Sequence, residues 1–248
     1  MAVLITRPGE RGKQLVDMLN KTGAMAIHLP LISIVAGQEL NQLPNKLQQL
    51  NAGDYVFVVS QHAVEYAQRT LSSAGFYWRA DLHYFTVGQR TAEYFASQTG
   101  NSVHYPIEQE NSEGLLDLPQ MQDLQGKNVL ILRGNGGREF VAEQVVLRGA
   151  KVEMLECYQR TPVEYNNLEQ ISLCQRIGVD TIVVTSLEIL NYLVALVPNA
   201  EASWLLNCRL VTVSQRIAAL AKSIGWTHIV VSEKADNSSI FKALQNNG

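Results

Sequence analysis

Residues 2–7 read AVLITR, and residues 128–133 read NVLILR. The offset between them is 126, and it persists along the chain. Gly23-Ala24 recur as Gly149-Ala150, and Asp54, Val58, Ser60 and Tyr66 recur as Asp180, Val184, Ser186 and Tyr192. Trp78 recurs as Trp204, Gln89-Arg90 as Gln215-Arg216, and Asn111-Ser112 as Asn237-Ser238. Residues 2–112 are therefore repeated in residues 128–238. Two equivalent halves imply pseudo-twofold symmetry with a cleft between similar domains, and such a cleft is a common place for a small molecule to bind.

The quoted stretch is also a strand signature. Short apolar runs recur at Val3–Ile5, Ala26–Ile34, Tyr55–Val59, Tyr84–Val87 and Ser102–Tyr105 in the first half. The second half has Val129–Leu132, Val152–Cys157, Thr181–Val184, Leu210–Val213 and Ile229–Val231. Between them lie helix-period stretches, such as Ile217, Leu220, Ala221 and Ile224 at i, i+3, i+4 and i+7. Short apolar strands alternating with amphipathic helices predict an α/β fold with parallel sheets covered on both faces. Two segments break the alternation at equivalent places, AIHLPLISIV over 26–35 and VEMLECYQRTPV over 152–163. Each is long, extended and proline-bearing. They suggest two strands that cross between domains as a double linker; the alternative is two consecutive domains split near residue 125.

The chain of 248 residues is 46% hydrophobic and 17% charged, with a formal net charge of −3. That balance argues against a nucleic-acid binder, which needs a basic surface. No apolar run reaches the ~18–20 residues of a membrane helix, and no signal peptide is evident. Cys157, Cys174 and Cys208 match neither a CxxC pair nor a disulfide framework. They are read as reduced thiols, with a cytoplasmic location expected.

The strand ends are followed by polar or small residues that open helices. They read Thr6-Arg7-Pro8-Gly9, Ser60-Gln61-His62, Gly88-Gln89-Arg90-Thr91, Arg133-Gly134-Asn135-Gly136-Gly137, Thr185-Ser186 and Ser214-Gln215-Arg216. In parallel α/β sheets these turns lie where ligands bind. A helix N-terminus presents unpaired N–H groups and partial positive charge, so it receives anions. Three such turns per half point to a ligand with several carboxylates or phosphates; the alternative for any one turn is capping alone. Arg7 and Arg133, repeat equivalents, either grip carboxylates bidentately or tie down neighbouring loops. The loop from Arg133 to Arg138 matches neither GxGxxG nor GxxxxGK[ST], which excludes a dinucleotide reading there. His62 either contacts an anion or is a solvated helix-start residue. The five histidines show no ligand spacing, so no metal site is expected. No GxSxG or Ser-His-acid pattern stands out. Asp54 and Asp180 read as turn residues, and Trp78 and Trp204 as packing residues. Tyr158 is distinctive: its repeat equivalent is Ile32, so symmetry does not explain it. It is either a proton-handling phenol or an aromatic packed at a domain junction.

Taken in order, TRP at 6–8, SQHAV at 60–64, VGQRTA at 87–92, ILRGNGGRE at 131–139, ECYQR at 156–160 and VVTS at 183–186 resemble the uroporphyrinogen-III synthase family. The resemblance covers essentially the whole chain. It implies two flavodoxin-like parallel-sheet domains joined by a two-stranded β linker. One would comprise 1–35 plus 164–248 and the other 36–163, with linker strands near 26–36 and 152–163. It further implies hydroxymethylbilane, a linear tetrapyrrole polycarboxylate, as substrate. Loss of the ring A hydroxyl gives an azafulvene, and ring D closes through a spiro intermediate and is inverted. No metal or organic cofactor takes part. Tyr158 matches the family tyrosine implicated in departure of the hydroxyl, and Thr91 falls at a family threonine. The second such turn has Ile217 where some relatives carry threonine. Ser60, Ala63, Thr185, Ser186, Ser214 and Gln215 fit the family's contacts to substrate carboxylates, and Gln61, His62, Gly88 and Gly134 share the same turns. A monomer is expected, with transient contact to the preceding hydroxymethylbilane synthase. The competing class is a non-catalytic two-domain binding protein for an anionic metabolite.

Overall fold

The computed structural model describes residues 1–136 and 139–245. Gly137 and Arg138 of the glycine loop lie outside the described residues. The strands are β1 (Ala2–Ile5), β2 (Met25–His28), β3 (Ile32–Ala36), β4 (Tyr55–Val58), β5 (His83–Phe85), β6 (Val103–His104), β7 (Asn128–Gly134), β8 (Lys151–Pro162), β9 (Thr181–Val184), β10 (Arg209–Thr212) and β11 (Ile229–Val231). Helices separate most of them, so the fold is α/β.

The chain divides into two compact units, Met1–Ile34 with Thr161–Gly248, and Val35–Arg160. The first holds a sheet ordered β2-β1-β9-β10-β11, the second a sheet ordered β3-β8-β7-β4-β5-β6. Strands β1 and β9 pair in parallel with Val3 opposite Thr181, and β4 and β7 pair in parallel with Tyr55 opposite Val129. The order 2-1-3-4-5 is that of a doubly wound, flavodoxin-like sheet. The second unit shows the same order circularly permuted, with β3 added at the edge. The long run at 26–35 forms two strands. Pro30 lacks an N–H to donate, and the break at Leu29-Pro30-Leu31 separates β2, which pairs with β1, from β3, which lies beside β8.

Alternation along the strands places apolar residues on both faces. In the first unit Val3, Ile5, Val183 and Val211 pack with Leu15, Leu19, Ile240 and Leu244. Leu4, Ile182, Val184 and Leu210 face the other way, onto Leu190, Leu193, Leu205 and Trp226. In the second unit Phe57, Phe85, Val129 and Ile131 pack on Leu115, Leu124 and Val145. Trp78 is buried, meets Tyr84 and Phe95 edge-on, and donates from Nε1 to Gln68 at 2.7 Å. Trp204 packs against the first unit's core. All three cysteines are free and buried; burial pushes the Cys157 thiol up to about 12 and the Cys208 thiol up to about 11. Among the described residues no single helix is long and apolar enough to cross a membrane.

Asp54 and Asp180, which lie 126 positions apart, have different surroundings. Asp54 is buried and accepts from the Asn128 N–H at 3.0 Å, Asn128 Nδ2 at 2.7 Å and the Asn51 N–H at 2.7 Å. Burial alone would raise its carboxyl, but the bonds from Asn128 and Asn51, with Lys127 nearby, hold it below the usual carboxylate range. Asp180 is exposed and is met by the Met1 amine at 3.6 Å and the Thr181 hydroxyl at 2.7 Å. Asp54→Ala is expected to destabilise the protein by about 2–3 kcal/mol, since it strands three donors, and Asp180→Ala by well under half that. The depressed carboxyl contributes stability at and above the ordinary carboxylate pKa of ~4, and that contribution is lost as pH falls through the folded value. Chemical denaturation of wild type and Asp54→Asn should therefore show a stability gap that begins to narrow below about pH 4 and closes only below the folded carboxyl's depressed value; a gap unchanged by acid would refute the assignment.

Candidate active site

In each unit the three turns singled out in the sequence follow three adjacent strands: β1, β9 and β10 in one, β7, β4 and β5 in the other. In the second unit the chain order reverses between β7 and β4, and such a switch point is where doubly wound sheets bind ligands. A cavity of about 310 Å³ opens there. Ser60, Arg133, Gly134, Asn135, Tyr158 and Arg160 supply polar lining, and Phe57, Phe85, Ile131 and Val141 supply apolar lining.

Tyr158 reaches this cavity through an irregularity. Along β7 and β8, Arg133 stands opposite Glu156, but Gly134 stands opposite Tyr158, so β8 carries one extra residue. A bulge of this kind re-aims a side chain, and both Cys157 and Tyr158 end up buried. Gly134 makes room for the ring: a Cβ there would fall 2.5 Å from Tyr158 Cζ and 2.6 Å from Cε2. The His62 ring lies 5.5 Å from the phenol ring, and Tyr66 stacks at 6.4 Å.

Ser60 caps the helix Gln61–Ser73, its Oγ accepting from the Ala63 N–H at 3.3 Å. The same hydroxyl donates to the Tyr158 oxygen at 3.1 Å. Ser60, Ala63, Gly134 and Tyr158 thus form one group. Gln61 donates to the Arg90 carbonyl at 3.2 Å, linking two of the turns. His62 is exposed, with Nδ1 3.8 Å from Glu65.

Gly88 caps the helix Gln89–Thr99, in which Thr91 is half-buried. The Gln89 N–H donates to the Glu110 carboxylate at 2.9 Å, and a Cβ on Gly88 would fall 2.6 Å from that carboxylate. The anion expected at this helix start is thus supplied by the chain itself. Arg133 donates to the carbonyls of Gly134, at 3.3 Å, and Gly136, and lies 3.9 Å from Glu139.

In the first unit Arg7 is buried and donates to the Ala235 carbonyl at 3.0 Å and to Asn237 Oδ1 at 2.9 Å, so it tethers a loop. Ser186 caps the helix Leu187–Leu196 through the Ile189 N–H at 3.1 Å, and Ser214 caps the helix Gln215–Ile224 through the Ile217 N–H at 3.4 Å. Thr185 is half-buried and Gln215 exposed. Ile217 is buried in the core, so its side chain packs rather than facing a ligand. Among the described residues no cluster of three or more His, Cys, Asp or Glu is arranged to hold a metal ion.

The family model described as uroporphyrinogen-III synthase HemD matches residues 13–242. The uroporphyrinogen-III synthase of Salmonella typhimurium is 44% identical over 246 residues, covering 99% of this chain and 100% of the relative. The chain belongs to the uroporphyrinogen-III synthase family. The synthase of Escherichia coli is 43% identical with the same coverage. Crystal structures of family members share the fold: a mutant from Thermus thermophilus at TM-score 0.66 and 16% identity, covering 99% of both chains, and one from Helicobacter pylori at TM-score 0.62 and 12% identity, covering 98% of both. As a uroporphyrinogen-III synthase by family, the chain is an enzyme of tetrapyrrole biosynthesis.

Two residues lay inside stretches quoted from the sequence, a turn and the ECYQR motif, without being singled out as site residues. Asn135 and Arg160 both line the cavity of this family member. Arg160 stands two residues after Tyr158, and side chains two apart in a strand share a face. That spacing is the signal that identifies it.

Proposed function

We propose that this chain converts hydroxymethylbilane to uroporphyrinogen III, with Tyr158 as the proton donor to the departing hydroxyl. The proton goes from the phenol to the hydroxymethyl oxygen, the C–O bond breaks, and water leaves with the bonding pair. The pyrrole nitrogen supplies the pair that forms the azafulvene as its N-protonated cation, ring D attacks through its substituted carbon, and the proton released when the closed ring regains aromaticity returns to the phenolate. The observation that carries this reading is the lining of the cavity. Among the described residues the cavity is lined by no carboxyl, imidazole, thiol or lysine, so the phenol of Tyr158 is its natural Brønsted acid. A phenol carries one O–H proton that it can donate to a departing oxygen.

A cavity of about 310 Å³ is small for a ligand site and suits one terminal ring rather than four. Carboxylates of the remaining rings are assigned to the helix-start N–H groups and hydroxyls at Ser60, Ala63, Thr91, Thr185, Ser186, Ser214 and Gln215. Gln61, His62, Gly88 and Gly134 border those positions. A carboxylate arriving at Gly88 would exchange with Glu110. Arg7 and Arg133 act through the loops they hold. Catalysis is then largely orientation and electrostatic preorganisation. A cytoplasmic monomer that meets hydroxymethylbilane synthase transiently fits this reading.

The test is turnover of freshly generated hydroxymethylbilane by the purified protein in excess chelator, with isomer analysis of the product. Uroporphyrinogen III is expected at an undiminished rate. Only the isomer with ring D uninverted, at the uncatalysed rate, would favour the binding-protein reading. Activity lost to chelator and restored by a metal would overturn the cofactor-free mechanism.

A further inference from the structure

Arg160 and Asn135 have contacts that packing alone does not require. Arg160 Nη2 lies 3.4 Å from the Tyr158 oxygen, and its guanidinium carbon lies 5.8 Å from the phenol ring centre. Its backbone is clamped on both sides. The Arg160 N–H donates to Asn135 Oδ1 at 2.7 Å, and Asn135 Nδ2 donates to the Arg160 carbonyl at 3.0 Å. The Asn135 N–H meanwhile donates to the Tyr158 carbonyl at 3.0 Å. An asparagine amide just past the end of β7 thus continues the β7–β8 ladder for one more step.

We propose that Arg160, held by Asn135, is a positioning residue that commits the Tyr158 hydroxyl to donating its proton into the cavity. A phenolic oxygen has one proton to give and lone pairs with which to accept. Here it accepts from Ser60 Oγ at 3.1 Å and from Arg160 Nη2 at 3.4 Å. With those acceptor positions taken, donation is what remains to the hydroxyl. After the proton has gone, the same two donors face the phenolate, and a charge-assisted bond to an ionised partner is the stronger kind. The guanidinium therefore binds the group more tightly after proton transfer than before it, which is how an interaction raises kcat rather than only affinity. Arginine suits the task because it stays charged and spreads its donors in a planar fork.

The inference rests on Tyr158 being the acid, so the experiment separates the two. Steady-state kcat and KM are measured for wild type, Arg160→Gln, Tyr158→Phe and the double variant, with Arg160→Lys and Asn135→Ala alongside and thermal unfolding of each as a folding control. Arg160→Gln is expected to lower kcat about tenfold or more, within the usual reach of acid–base assistance, with KM changed little. In the Tyr158→Phe background the same change should cost less than twofold, because the oxygen it acts on is gone. Arg160→Lys should restore part of kcat, and Asn135→Ala should reproduce part of the loss. Equal fold losses in both backgrounds would overturn the inference while leaving Tyr158 as the acid. A raised KM at unchanged kcat would also overturn it, and would make Arg160 a receptor for a substrate carboxylate. Wild-type kcat in Tyr158→Phe alone would remove the acid itself and the inference with it. Should Arg160→Gln fail to fold, Arg160→Lys and Asn135→Ala carry the same comparison.

Discussion

Tyr158→Phe is expected to lower kcat by about 10²-fold or more while KM changes little, the usual range for loss of a general acid. The substitution keeps the ring, so packing against Gly134, His62 and Tyr66 survives. It removes the oxygen to which Ser60 and Arg160 donate. Ser60 Oγ keeps its bond from the Ala63 N–H, and Arg160 is exposed, so stability should fall by only about 1 kcal/mol. Alanine changes at Ser60, Thr91, Thr185 or Ser186 should each matter less to turnover, because the backbone N–H groups at those helix starts persist. Stopped assays of product formation at saturating substrate provide the measurement. Near wild-type turnover for Tyr158→Phe, with Tyr158→Ala merely unstable, would make this tyrosine a packing residue.

The fold class was legible because its signal is periodic and local. Runs such as Val3–Ile5 and Thr181–Val184 are apolar on both faces, and both proved to be interior strands of one parallel sheet. What lay outside the pattern was non-local. Pro30 breaks an apolar run into two strands with different neighbours, which composition alone does not reveal. That Arg7 ties down a loop was one of two open readings in the sequence, but its partner, the Ala235 carbonyl more than two hundred residues away, was not legible there. Glu110 at the start of helix Gln89–Thr99 was not visible, because the contact joins segments about twenty residues apart through a side chain. Tyr158 stood out because it broke the repeat. Arg160 and Asn135 did not, since their meaning depends on the bulge that brings Tyr158 opposite Gly134.

That bulge gives the second large effect. Gly134→Ala is expected to lower kcat by about 10²-fold, the cost that a displacement near 1 Å imposes on a positioned catalytic group. Gly134 is not among the glycines with positive φ, so its backbone conformation does not demand glycine. Its need is for room. The added methyl would overlap Cζ and Cε2 of a ring that is 2% exposed and bounded by His62, Tyr66 and Arg160. A rigid ring in that setting yields only by moving its hydroxyl away from Ser60, or by parting β7 from β8. Overpacking of this kind costs about 1–3 kcal/mol of stability. Gly75→Ala is the matched control: Gly75 has φ +73° with nothing within 4 Å of the added methyl. It should cost about 1 kcal/mol of stability through backbone strain and nothing in kcat. Thermal unfolding together with kcat for the two variants decides the matter. Equal stability losses with activity lost only in Gly134→Ala would place the effect on the phenol's position. Full activity in a folded Gly134→Ala would show that the ring has freedom to move, and that catalysis does not depend on where β7 holds it.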